Sequence, residues 1–320
     1  MRVDGYAVTV VARGATTLRK RIPAVKRLLP WALAALLVLV FAYLGVGLYV
    51  ASDLSAPYRS PEEHTPAEEG LDYQMVKVQS TDGLDLEGWW VSIPGSSRAV
   101  ILVPGFMANK SGPYVLETAA IYAKAGYSVL MVDTRAQGHS EGNRITLGYR
   151  EIRDVRGALL WLGKRGFEPR DIVLHGWSMG GATVVRAAPG TGVSAVVEDS
   201  GYADLPLLLR RALPEASGLP SFFNPAIMLA AKYFLGLDAW AVRPKEEARE
   251  LSEEGVPLLI IHSTTDQTVP YEHARLFKAA YPRAELWRIK GYEHAEAYTD
   301  PRYREKLLSF LRRVQAKGKP

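Results

Sequence analysis

The sequence feature that most constrains the fold is the pentapeptide Gly-Trp-Ser-Met-Gly at positions 176–180. The run before it, 171–175, is mostly apolar and β-branched, which predicts a buried strand. The run after it, 181–188, consists of small residues and predicts a closely packed helix. Glycines leave space for a sharp turn between the two. Ser178 is therefore predicted at the tip of the turn with an exposed hydroxyl, and the backbone N–H of Met179 is predicted to face the same space as an oxyanion donor.

The pentapeptide alone is not decisive, because a tight strand-to-helix turn whose serine merely caps the helix has the same pattern. That alternative predicts no acid and no histidine at suitable places downstream. Asp266 follows the apolar run 256–263, and His294 follows the apolar run 284–289. Because the chemistry of open α/β sheets lies at the carboxyl ends of the strands, we expect both side chains at the same sheet edge as Ser178.

The three residue types suit nucleophilic catalysis. A serine hydroxyl is a weak nucleophile at neutral pH, so His294 is predicted to take the Ser178 proton as general base and to return it to the leaving group. Asp266 is predicted to fix the histidine tautomer and to stabilise the imidazolium. Asp199, which follows the apolar run 195–198, is the reserve candidate for the acid.

The other five histidines are weaker candidates for the catalytic base. Their predicted places are two buried strands (His175, His262), the surface of a helix (His273), a polar linker (His64) and a loop (His139).

With these residues, the chain resembles the serine α/β-hydrolase superfamily over about residues 72–314, and within it the membrane-anchored, BEM46-like or alpha/beta hydrolase domain-containing group. The order serine, acid, histidine is that of the superfamily. The segment 100–106 resembles the strand and loop that supply the second oxyanion donor, here the backbone N–H of Phe106. Pro104 stands where the family usually has histidine. Asn109-Lys110 and the loop 133–142 also match family patterns, and the resemblance makes His139 and Ser140 structural residues of that loop.

The resemblance implies the α/β-hydrolase fold: a mostly parallel, eight-stranded sheet flanked by helices. Strand and helix patterns alternate from residue 99 to residue 198, as a parallel sheet requires. About 50 residues, 202–254, then precede the next strand. In the family such an insertion forms a small helical cap over the active site. Its leucines and aromatic residues predict an apolar pocket, a membrane-facing surface, or simple packing of the cap on the body.

The N-terminal region predicts a membrane helix. Residues 31–50 carry no charge, and a helix of 20 residues rises about 30 Å, enough to cross a bilayer core. A cleaved signal peptide is the alternative, although its apolar core is usually shorter. The preceding residues 1–30 hold seven Lys or Arg and one acid, a net charge of +6 within a whole-chain charge of +5. The basic tail is predicted to be cytoplasmic and the hydrolase domain extracytoplasmic, on a single-pass protein.

Composition excludes several classes of site. The chain has no cysteine, so disulfides and thiolate chemistry are absent. We expect no metal and no cofactor, because no His, Asp or Glu cluster has metal-ligand spacing and no glycine-rich phosphate loop occurs. The body after the tail has a net charge of −1, which argues against a nucleic-acid partner. The predicted divisions are the tail (1–30), the transmembrane anchor (31–50), a polar linker (51–70) and the hydrolase domain (71–316).

These features predict a membrane-anchored serine hydrolase of the carboxylesterase or lipase type. It would cleave ester or thioester bonds of an apolar, lipid-like acyl substrate through an acyl-enzyme. A serine peptidase or amidase with the same triad is the enzymatic alternative, and a non-catalytic binding module on the same fold is the other. The acyl chain, the leaving group and the oligomeric state stay open.

Overall fold

The computed structural model describes residues 24–317, so most of the predicted basic tail lies outside it. The strands of the described residues are β1 (Gln74–Gln79), β2 (Asp85–Val91), β3 (Ala99–Val103), β4 (Ser128–Val132), β5 (Ile172–Trp177), β6 (Ala195–Asp199), β7 (Leu258–Ser263) and β8 (Glu285–Ile289). The α-helices are α1 (Ala24–Leu54), α2 (Pro113–Lys124), α3 (Ile152–Gly163), α4 (Met179–Ala187), α5 (Leu205–Ser217), α6 (Asn224–Leu235), α7 (Pro244–Glu254), α8 (Glu272–Ala280) and α9 (Tyr303–Lys317).

Within the described residues the strands form one eight-stranded sheet in the order β1-β2-β4-β3-β5-β6-β7-β8. Strand β2 pairs antiparallel with β1 and β4. The remaining neighbours, from β4 across to β8 in that order, are parallel to one another. This arrangement confirms the predicted mostly parallel sheet.

Both faces of the sheet are covered, and successive side chains of a strand point to opposite faces. In β3, Ala99, Ile101 and Val103 point to one apolar core, while Val100 and Leu102 point to the other. Such strands are apolar throughout because neither face meets water. Helices α3, α4, α7 and α8 bury their apolar side chains on the first face, and α2 and α9 do so on the second.

A third apolar cluster lies beyond the carboxyl edge of the sheet, and most of its residues come from the chain between β6 and β7. It joins α5 and α6 to Met179 at the start of α4. Helix α5 begins where the Asp204 side chain accepts the Leu207 N–H, and it ends at Gly218, whose φ of 69° few other residues tolerate. Helix α7 packs with α4 and α8 in the first core instead.

Two compact units divide the chain, Met1–Tyr43 and Leu44–Pro320, and their boundary falls inside α1. The stretch Leu28–Leu54 has a mean hydropathy of 2.5 and is long and apolar enough to cross a membrane. A signal sequence would meet the same criteria.

The predicted linker, 51–70, makes many contacts within the second unit. Its first four residues belong to α1. Further along, the Asn109 side chain donates to the Ser60 carbonyl at 3.2 Å, and the Arg59 guanidinium donates to the Gly138 carbonyl at 3.1 Å.

Candidate active site

Ser178 occupies a strained turn between β5 and α4. Its φ of 53° and ψ of −118° are unusual for a residue with a side chain. Its N–H donates to the Asp199 carbonyl at 2.8 Å, which ties the turn to the end of β6. The side chain is half-buried, so the hydroxyl reaches the space above the sheet edge.

Glycines are required on both sides of this turn, as the sequence predicted. A Cβ on Gly176 would lie 2.3 Å from the Gly180 carbonyl carbon, and a Cβ on Gly180 would lie 2.1 Å from the Val103 oxygen. Backbone atoms on both sides cannot yield as a side chain could. The close approach sets the start of α4 directly on β3 and β5.

Asp266 and His294 form a hydrogen-bonded pair. His294 Nδ1 lies 2.7 Å from Oδ2 of Asp266. The other carboxylate oxygen, Oδ1, accepts the backbone N–H groups of Thr268 and Val269, each at 2.9 Å. Asp266 is buried, whereas the His294 side chain keeps 21% of its surface exposed. The acid is thus held from two directions, and the ring is free to face a reacting group.

The corner at Asp199-Ser200 connects the serine with the histidine loop. Asp199 accepts the Ser178 N–H through its carbonyl, and the Ser200 hydroxyl accepts the Ala295 N–H at 3.3 Å. Among residues 24–317 no hydrogen bond joins the Ser178 hydroxyl to the His294 ring. Catalytic hydrogen bonds in substrate-free enzymes are often long and tighten when substrate binds.

The loop after β3 lies against the nucleophile turn. A Cβ on Gly105 would be 3.3 Å from the Ser178 Cβ. Phe106 and Met179 line the same cavity as Ser178. The Gly105 N–H donates to the Tyr114 hydroxyl at 3.4 Å, which steadies the turn where the family usually has histidine. The oxyanion role of the Phe106 and Met179 N–H groups stays a prediction.

A buried cation holds this loop from its far end. Lys110 Nζ lies 2.9 Å from Asp133 Oδ2 and 3.0 Å from Glu87 Oε1, and it also pairs with Glu62. Burial lowers the pKa of Lys110, but the carboxylates, Asp133 foremost, outweigh that effect and raise it above its ordinary value. The lysine therefore stays charged and links the loop to β2, to the residue that follows β4 and to the segment after α1.

Glu62, Glu87 and His139 offer three ligand atoms within 4.8 Å of one another. Such a group was not expected from the sequence, because its members come from three separate segments. The Lys110 ammonium already pairs with both carboxylates, so a cation of the protein itself occupies this acidic group.

Two histidines lie in surroundings that differ from expectation. The prediction that His273 is a surface residue was wrong: it is 2% exposed, and its Nδ1 accepts the Ala203 N–H at 3.2 Å. His262 is buried as predicted, yet its Nε2 lies only 3.7 Å from Asp266 Oδ2. Burial lowers the pKa of both rings, so they are neutral neighbours of the acid.

The reserve acid Asp199 is fully buried at the end of β6. Its Oδ1 accepts the Ser200 hydroxyl at 2.8 Å. Burial raises the pKa of Asp199 to about 7. It therefore lies beside the candidate triad, while Asp266 makes the contact with His294.

Ser178 opens into a cavity of about 210 Å³. The lining is almost entirely apolar and comes from α5, α6, the end of α1 and the loops after β3 and β7. Representative lining residues are Ala51, Phe106, Leu208, Leu213, Met228 and Val269.

The match to known proteins agrees with this architecture. Residues 100–303 match the model of the alpha/beta hydrolase family. The chain belongs to the alpha/beta hydrolase family. This alpha/beta hydrolase is 26% identical over 253 residues to the uncharacterized protein YfhR of Escherichia coli (strain K12), which covers 74% of this chain and 80% of YfhR.

Two further similar proteins have names that state an activity. The phosphatidylserine lipase ABHD16A of Bos taurus is 25% identical over 202 residues, which are 61% of this chain and 33% of the lipase. The esterase Pf2001 of Pyrococcus furiosus superposes with a TM-score of 0.67 at 23% identity, over 81% of this chain and 98% of the esterase. That likeness shows the fold alone. Family membership and the lipase support a hydrolase.

Proposed function

We propose that this alpha/beta hydrolase is a membrane-anchored serine hydrolase that cleaves carboxylic ester or thioester bonds of apolar acyl substrates. The observation that carries the proposal is the position of Ser178, which is strained at its turn and open to an apolar cavity. The Asp199-Ser200 corner connects it to the loop of the hydrogen-bonded Asp266–His294 pair.

In the proposed mechanism, Ser178 Oγ attacks the substrate carbonyl carbon while His294 Nε2 takes its proton. The backbone N–H groups of Phe106 and Met179 would stabilise the negative oxygen of the tetrahedral intermediate. His294 then protonates the leaving alkoxide or thiolate, and the acyl group stays on Ser178. Water, activated by His294, attacks the acyl-enzyme and releases the acid. Asp266 holds the ring through Nδ1, which leaves Nε2 for both proton transfers.

The cavity favours an acyl chain over a peptide. A bound peptide carries backbone N–H and C=O groups that need polar partners, and burying them unpaired is unfavourable. The cavity wall offers mainly leucine, alanine and methionine side chains. A hydrocarbon chain needs no such partners, so ester or thioester substrates fit this site better than peptides.

The anchoring part of the proposal rests on α1. Most of Leu28–Leu54 is exposed although it is strongly apolar, which suits a lipid environment and not water. With seven basic residues before it, the N-terminus would remain cytoplasmic and the hydrolase domain would be extracytoplasmic.

The test is hydrolysis of p-nitrophenyl esters from acetate to palmitate by the full chain in detergent micelles, with Ser178→Ala as control. We expect hydrolysis that is lost in the control, and labelling of Ser178 by a fluorophosphonate probe. Cleavage of peptide or amide substrates without ester cleavage would favour a peptidase. A folded protein that neither hydrolyses esters nor reacts with the probe would contradict the proposal.

A further inference from the structure

One wall of the cavity at Ser178 comes from the end of α1, which precedes all strands of the sheet in the chain. Ala51, Leu54 and Ser55, at the end of α1, line it together with α5 and α6. These residues belong to the same compact unit as the site. The end of the apolar N-terminal helix is therefore part of the cavity that holds the candidate nucleophile.

Close helix packing holds this wall in place. A Cβ on Gly47 would lie 2.5 Å from the carbonyl carbon of Ala226 in α6, so only glycine lets the two backbones approach this closely. One turn later, Val50 and Ala51 are 9% and 5% exposed. Both belong to the apolar cluster that includes Met179 and Ile227.

Polar contacts fix the end of the same helix. The Arg144 guanidinium donates to the Ser52 carbonyl and to the Ser55 hydroxyl, each at 3.0 Å. The Ile145 N–H donates to the Ser55 carbonyl at 2.9 Å. A cation at the C-terminal end of a helix also interacts favourably with the helix dipole. The wall is thus attached by packing on one side and by hydrogen bonds on the other.

We propose that residues 47–55, the end of α1 and the residue after it, are a specificity-determining wall of the acyl site, which sets the length of the acyl chain that the enzyme accepts. The proposal rests on the proposed function, because it assumes that the cavity holds the acyl chain. Ala51 is small and buried at the cavity, so a larger side chain there would occupy space available to the substrate. Leu54 is half-buried at the cavity, so its truncation would enlarge the space.

The size of the effect follows from the value of apolar contacts. One methylene more or less in an apolar pocket changes discrimination by about 10- to 200-fold. Excluding even the last methylenes of a long chain should therefore change the preference between long and short esters by at least tenfold.

The experiment compares p-nitrophenyl palmitate with p-nitrophenyl butyrate for the full chain in detergent micelles. Ala51→Phe should lower the palmitate-to-butyrate ratio of kcat/KM at least tenfold, and Leu54→Ala should raise it. Tyr49→Ala is the matched control, because Tyr49 lies on the same helix, is 74% exposed and is not a lining residue. It should keep the ratio of the unmodified protein. If Ala51→Phe does not fold, the palmitate-to-butyrate ratio of Leu54→Ala still tests the proposal.

A binding measurement separates this proposal from the proposed function. Fluorescent fatty acid is titrated into Ser178→Ala with and without Ala51→Phe. At least tenfold weaker binding in the double variant supports the wall even if the protein hydrolyses no ester. Equal binding, or an unchanged ester ratio in both Ala51→Phe and Leu54→Ala, would overturn the wall while leaving a Ser178-dependent esterase intact.

Discussion

His294 Nδ1 and Asp266 Oδ2 lie 2.7 Å apart, while Oδ1 of the same carboxylate accepts two backbone N–H groups. The backbone of the Asp266 loop therefore orients the carboxylate independently of the histidine. We expect Asp266→Asn to keep the loop folded but to favour the wrong histidine tautomer, lowering kcat by about 10⁴-fold. Steady-state ester hydrolysis checks this prediction. Circular dichroism should show unchanged secondary structure, and a loss of less than tenfold would argue against the pair as part of the triad.

A substitution at Gly180 tests the close packing of the turn at Ser178. Alanine would place its Cβ 2.1 Å from the Val103 carbonyl oxygen, a backbone atom. We expect Gly180→Ala to lower the free energy of unfolding by about 3 kcal/mol, the upper end for overpacked sites, and to abolish fluorophosphonate labelling.

Gly163→Ala is the matched glycine control for that experiment. Gly163 ends α3, and nothing lies within 4 Å of a Cβ built there. Because alanine has the higher helix propensity, we expect a stabilisation of up to about 1 kcal/mol and normal labelling. Equal thermal stability of the two variants would contradict the packing described for the turn.

A substitution at Lys110 tests the buried ion pairs that this residue makes with three carboxylates. Its side chain is fully buried, and Lys110→Met would leave buried Asp133 without its cation. Removing one partner of a buried pair typically lowers stability by about 3–5 kcal/mol. Thermal unfolding measures the loss. Lys77→Met is the control, because the Lys77 side chain is 81% exposed and pairs with Asp85 only at 3.6 Å, so no measurable change is expected.

The raised pKa of Asp199 should make the free energy of unfolding depend on pH. Burial raises its pKa to about 7 in the folded protein, against about 3.9 in an unfolded chain. Because the folded-state pKa is the higher one, the stabilisation is complete below about pH 4 and is lost as the pH rises through 7. Asparagine at this position can still accept the Ser200 hydroxyl but cannot titrate. We therefore expect the Tm of Asp199→Asn to fall less between pH 5 and pH 8 than the Tm of the unmodified protein.

Differential scanning calorimetry at the two pH values gives the Asp199 result. Asp72→Asn, at an exposed position, should behave like the unmodified protein. A parallel fall in Tm for Asp199→Asn and the unmodified protein would show that Asp199 does not titrate in this range.

The sequence allowed prediction of the features that depend on local pattern. Strand β5, the turn at Ser178 and helix α4 follow from apolar runs and glycines within a few residues of one another. The approach of Asp266 and His294 also followed, because parallel strands bring their carboxyl ends to one edge. The predicted triad roles await the experiments above.

Features that depend on distant contacts were not predictable in this way. His273 lies on a polar helix pattern, and only packing against Ala203 shows that it is buried. Nothing local to Lys110 indicates three carboxylate partners from other segments. The contact between Gly47 and Ala226 joins segments almost 180 residues apart in the sequence, so the role of α1 as a cavity wall could not be foreseen.

The attachment of residues 52–62 to the domain has a kinetic consequence. Arg144, Asn109 and Lys110 fasten this stretch almost as soon as α1 ends, so no free length of chain follows the helix. On the proposed anchoring, the catalytic unit would stay tethered at the bilayer surface. Its encounters with substrate would depend on lateral diffusion in two dimensions, and its turnover would follow the surface density of the substrate and not its bulk concentration.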